Sequence, residues 1–159
     1  MDTSIQKKEK RLEVLFWSIA LPGFGQLLNE KYFKGFILII LEVIINIKGK
    51  INIVIMHSFV GEMAFAINEA NFLWVMFYPC LYLFAIWDAY RDAGGGMYPY
   101  LYIPFVFSAY FGTLGVIYSA HLSIFGFLIG PVFLPIILMM IGFLIGQLLR
   151  TVILKRKKH

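Results

Sequence analysis

The side chains of this chain that could do chemistry are ionisable groups set inside long apolar runs, where charge is costly and marks a candidate functional site. Glu42 lies ten residues into one such run, with Asn46 one turn beyond it. The next run is the most polar: His57, Ser58, Gly61, Glu62, Asn68 and Glu69 gather on one side at helical spacing. Two readings fit. In the first, Glu42, His57 and Glu62 form an intramembrane polar site that lines a proton or cation path between helices. In the second, the stripe belongs to an amphipathic helix that meets lipid headgroups or a partner protein.

A second pair lies further on. Asp88 stands three residues before Arg91, close enough on a helix to form an interfacial ion pair, and Asp92 competes for the same guanidinium. Such a pair fixes the depth of a helix end or contacts a partner. Little else suggests chemistry. The single Cys80 has no intramolecular disulfide partner, His57, His121 and His159 are scattered, and no Cys/His set has zinc-ligand spacing. No nucleophile–base pair, phosphate loop or cofactor fingerprint is present in the sequence. The expectation is a protein without enzymatic activity, cofactor or metal.

The elements that must position these groups are membrane helices. The chain is 60% hydrophobic and only 14% charged, against roughly 45–50% and 25% for soluble domains. From Ala93 to Leu149, 57 residues pass without an Asp, Glu, Lys or Arg, enough helix for about two crossings of a ~30 Å hydrocarbon core. The reading is an all-α, polytopic integral membrane helical bundle in the cell membrane. The net charge of +5 resides in clusters flanking apolar runs, which are orientation signals and points of attraction to anionic lipid, not a nucleic-acid face. The basic, then apolar, N-terminus reads as a retained signal anchor, and the basic tail as the end of the chain.

Polar breaks delimit six apolar segments, at about 13–28, 33–47, 51–67, 72–90, 99–120 and 124–149. If each crosses once from a cytoplasmic N-terminus, 12 of the 14 basic residues are inside, the tail with Lys158 included, and only Lys31 and Lys34 are outside. Both termini are then cytoplasmic. The first two segments are short, so four spans plus a shallow N-terminal hairpin is the alternative. Ala93-Gly94-Gly95-Gly96 divides an N-terminal region (1–92) from a C-terminal transmembrane hairpin with a basic tail (99–159), residues 93–98 being a glycine-rich joint. Tyr98, Tyr100 and Tyr102 fall where an aromatic belt is expected.

Between the first two segments lies Leu21-Pro22-Gly23-Phe24-Gly25-Gln26-Leu27-Leu28-Asn29, followed by Lys34-Gly35. Pro22 disrupts the preceding helix, Gly23 and Gly25 permit a tight path, and Gln26 and Asn29 can satisfy freed backbone groups that lipid would not. A kinked turn held by amides is one reading; a ligand or ion site at a broken helix is the other. Together with Trp87-Asp88-Ala89-Tyr90, these residues resemble the TM-two-type domain of small bacterial multi-pass proteins, over about residues 15–92. Leu28 replaces that pattern's usual Tyr, and residues 51–71 are an insertion before the Asp-bearing helix. The resemblance implies a helical membrane fold and no assigned activity.

The C-terminal hairpin carries packing signals. Ser108, Gly112, Gly115 and Ser119 form one small-residue face, and Gly126-x-x-x-Gly130 and Gly142-x-x-x-Gly146 are expected to do the same on the last helix. The functional expectation is a non-enzymatic accessory or scaffold component of a membrane complex, partnered by the lipid bilayer and by other membrane subunits or itself, without nucleic acid. The alternative is a small transporter, channel or ion-coupled subunit using Glu42 and Glu62.

Overall fold

The computed structural model describes residues 3–124 and 126–157, so the expected tail residues Lys158 and His159 fall outside it. Nine α-helices hold about four-fifths of the described chain: α1 (Thr3–Ala20), α2 (Phe24–Leu28), α3 (Tyr32–Gly49), α4 (Ile51–Phe59), α5 (Met63–Glu69), α6 (Phe72–Val75), α7 (Tyr78–Asp92), α8 (Tyr102–Tyr118) and α9 (Gly130–Arg156). A small antiparallel hairpin, pairing Ser123 with Leu128 and Ile124 with Phe127, joins α8 to α9. Apart from that hairpin the described residues are all-α, as expected. Two stretches, Phe72–Asp92 and Gly130–Arg156, are long and apolar enough to cross a membrane.

Local chemistry explains where the helices stop. Gly23 takes φ +102°, a left-handed conformation that reverses the chain after Pro22. The reversal folds α2 back along α1 so closely that a Cβ on Gly25 would stand 1.9 Å from the Ser18 hydroxyl oxygen. A second reversal, at Val60 and Gly61, divides the apolar run 51–67 into α4 and α5. The ends of that second hairpin meet: Asn71 N–H donates to the Gly49 carbonyl at 3.4 Å, and Lys50 Nζ lies 2.7 Å from Glu69 Oε2.

These reversals alter the route expected from hydropathy. Lys34, at the start of α3, lies 2.9 Å from Asp88 at the end of α7. Arg11 of α1 donates to Tyr98, Arg150 of α9 donates to the Pro99 carbonyl, and Lys157 sits over the Tyr100 ring. All of these groups therefore share one end of the bundle, where α1 and α3 begin and α7 and α9 finish. Six successive crossings would have put Lys34 and Arg91 at opposite ends. Segment 13–28 instead doubles back through α2, and segment 51–67 doubles back through α5. Only α3, α6–α7, α8 and α9 run the length of the molecule.

The C-terminal helices pack through their small residues. A Cβ on Gly115 would meet the Pro135 backbone at 2.5 Å, one on Gly142 the Phe107 carbonyl at 2.6 Å, and one on Gly146 Pro104 at 2.6 Å. Gly112 faces Met139 and Pro79, and Ser108 Oγ donates to the Met139 carbonyl at 2.9 Å. Such contacts let α8 and α9 approach backbone to backbone. The expectation for Gly126 and Gly130 is corrected. Both have positive φ, +83° and +79°; Gly126 lies in the β-turn with nothing near its missing side chain, and Gly130 opens α9 against Met63. Ser119, at the end of α8, turns its hydroxyl back to the Val116 carbonyl.

Candidate functional site

The Pro-Gly turn and the Asp88–Arg91 pair, two separate features in the sequence, meet in one site. Gly25 brings α2 against Ala89 of α7, which sets Gln26 and Asn29 over the last turns of that helix. Gln26 Nε2 donates to the Ala85 carbonyl at 2.8 Å and to Asp88 Oδ2 at 3.2 Å, and Asn29 Nδ2 donates to the Ala89 carbonyl at 2.8 Å. Gly35, packed against Leu27 and the Gly23 carbonyl, holds the start of α3 close by. From there Lys34 reaches Asp88 at 2.9 Å and Asp92 at 3.0 Å.

Asp88 is 2% exposed, yet it is fully partnered. Arg91 Nη2 donates to Asp88 Oδ1 at 2.6 Å and to Asp92 Oδ1 at 3.1 Å, and its guanidinium stacks on the Trp87 ring at 4.6 Å. Two carboxylates thus face two cations. A buried carboxylate that receives two cations and an amide is costly to strip of those partners. Its two oxygens accept from donors on α2, α3 and α7, so the arrangement is that of a clamp tying three elements together. Gln26 is wholly buried and its Oε1 has no partner among the described residues. Lys34 is the member that sequence reasoning missed, although the Lys34-Gly35 pair was its signal.

The intramembrane polar trio does not assemble. His57 contacts Glu62 at the tip of the α4–α5 hairpin, with the Phe65 ring against the imidazole. Glu42, buried on α3, faces Tyr78. Tyr78 stacks on Tyr82, whose hydroxyl donates to the Ile19 carbonyl at the tip of the α1–α2 hairpin, 2.6 Å away. A cavity of about 280 Å³ lies between the two hairpins, lined by Ile19, Val54, Val116 and the Pro131–Met139 turns of α9. Neither Glu42, His57 nor Glu62 lines it. Among the described residues no three His, Cys, Asp or Glu side chains are grouped as metal ligands.

The fold and clamp define an all-α protein with two helices able to cross a membrane. Compared with known proteins, the chain matches no family model, no curated protein and no solved structure.

Proposed function

We propose that this is a non-enzymatic multi-pass membrane protein of the cell membrane, acting as an accessory or scaffold component of a membrane complex. In this reading α3, α6–α7, α8 and α9 span the bilayer, while α1–α2 and α4–α5 are re-entrant hairpins from opposite sides. The observation that carries it is the outward-facing apolar surface. Phe33, Phe36, Ile40 and Ile47 of α3, and Met140, Leu144 and Leu148 of α9, are 56–80% exposed, as lipid-facing or partner-facing residues are.

Charge supports the orientation. Every described Lys and Arg except Lys48 and Lys50 belongs to the clamp end, which makes that end, with both termini, cytoplasmic. The small-residue faces of α8 and α9 are occupied within the chain, so a partner would meet the large apolar side chains. The ion-coupled alternative loses its shared pathway, because Glu42 and the His57–Glu62 pair make separate contacts and none of the three lines the cavity, Tyr78 standing between it and Glu42.

The test is gentle detergent extraction from native membranes at endogenous expression. A stoichiometric partner that remains bound, and is lost when Leu144 and Leu148 are replaced by Ser, supports the accessory role. Recovery of the chain alone, with liposome ion flux abolished by Glu42→Gln, would instead establish the transport alternative.

A further inference from the structure

A groove of about 740 Å³ opens on the outer face between α7 and α8, lined by Cys80, Phe84, Trp87, Tyr102, Val106 and Thr113, among others, and almost wholly apolar. It is blind at one end. Cys80 Sγ and Thr113 Oγ1 come within 3.6 Å, and Gly112 is packed on Pro79 just beyond. From Tyr102 to Thr113 it runs about 16 Å of helix, half of a ~30 Å hydrocarbon core. That is one leaflet deep. A partner's transmembrane helix would need a face of full thickness, whereas one acyl chain ends at the midplane.

The open end lies at the clamp. Trp87 carries the Arg91 guanidinium on its ring, and the loop joining α7 to α8 necessarily runs beneath the groove that these helices form. In that loop Tyr98 accepts a hydrogen bond from Arg11. Arg91 is neutralised by Asp88 and Asp92 but keeps Nη1 without a hydrogen bond among the described residues. Arg11 has no ion-pair partner among those residues. Arg91 thus adjoins the apolar slot through its lining residue Trp87, and Arg11 reaches the loop at the same end. That combination matches a phosphodiester carrying a hydrocarbon chain.

We propose that the α7–α8 groove binds one anionic phospholipid of the cytoplasmic leaflet, its acyl chain along Trp87 and Val106 and its phosphate at Arg11 and Arg91. The site rests on the membrane reading above, and carbonate extraction separates the two. A chain released by carbonate overturns the membrane reading itself; a chain retained in the membrane leaves only the lipid site in question.

The experiment is quenching of Trp87, in a Trp17→Phe, Trp74→Phe background, by brominated phosphatidylglycerol or brominated phosphatidylcholine in equimolar vesicles. The expected result is a preference for phosphatidylglycerol of about five-fold. Arg11→Ala should remove most of the preference, and Ala109→Phe, which fills the groove without adding a fluorophore, should block quenching by both lipids. Equal quenching by the two lipids would mean ordinary boundary lipid and would overturn the proposal. Loss of the preference to inorganic phosphate at constant ionic strength would overturn it too, in favour of a free-anion site. As a check independent of the Trp variants, the unaltered protein released from equimolar nanodiscs should retain one phosphatidylglycerol in native mass spectrometry; retention of neither lipid contradicts the site.

Discussion

The two hairpins of this molecule meet the same difficulty by opposite means. Each must reverse the chain between helices without leaving backbone polar groups bare. The α1–α2 reversal is buried: Pro22 and Gln26 are almost wholly enclosed, Gly25 touches Ser18 and Ala89, and amide side chains reach α7. The α4–α5 reversal is open, since Gly61 has nothing within 4 Å of its missing side chain and Val60 is 66% exposed. At the base of the first hairpin stands a buried carboxylate with two cations; at the base of the second, a half-exposed Lys50–Glu69 pair. The difference teaches where stability is concentrated. The first hairpin is part of the core, and the second is an appendage.

Substitutions should expose that asymmetry. The largest effect is expected at Asp88. Asp88→Asn removes the buried carboxylate while Lys34 and Arg91 keep Asp92, and should cost about 2–3 kcal/mol, read as a fall in the unfolding midpoint in mixed micelles. Its counterpart Glu69→Gln should cost at most about 1 kcal/mol, because that pair is solvent-screened. Gly25→Ala should come next, at about 1–3 kcal/mol, since the new methyl has no space beside Ser18. Tyr82→Phe removes one hydroxyl donor to the α1 tip and should cost about 1 kcal/mol. Gly61→Ala, strained by φ +87° but otherwise unopposed, should cost about 1 kcal/mol and leave proteolytic resistance of α1–α3 unchanged. Equal losses at Asp88 and Glu69 would dissolve the distinction between the hairpins.

Much of the fold was legible in the sequence, and the illegible part has a definite cause. Helical class follows from the apolar runs, and the polar residues worth watching announced themselves by their cost inside those runs. Route is another matter. Hydropathy measures apolar length and is blind to a reversal inside a run, so 13–28 and 51–67 read as crossings although each contains the glycine at which it turns back. Charge counting could not correct this. Six crossings leave Lys31 and Lys34 outside, whereas four spans with two re-entrant hairpins leave Lys48 and Lys50 outside, the same number in each case.

Spacing misleads in the same way at Gly126 and Gly130, which share the i, i+4 pattern of Gly142 and Gly146. The pattern carries no φ, and two positive values place the first pair in and after a turn. Lys34 escaped notice as a clamp residue for a related reason: the assumption that every segment crosses put it a membrane's width away from Asp88. The Gln26, Asn29 and Asp88 side chains were visible as candidates, but their union is tertiary.

The reversed route is the central claim, and labelling decides it. In a Cys80→Ser background, cysteines introduced singly as Lys31→Cys and Lys48→Cys are exposed to a membrane-impermeant maleimide in intact cells. Position 48 is expected to label from outside, and position 31 only after permeabilisation. Labelling of position 31 in intact cells, with position 48 protected, would contradict it and restore six successive crossings.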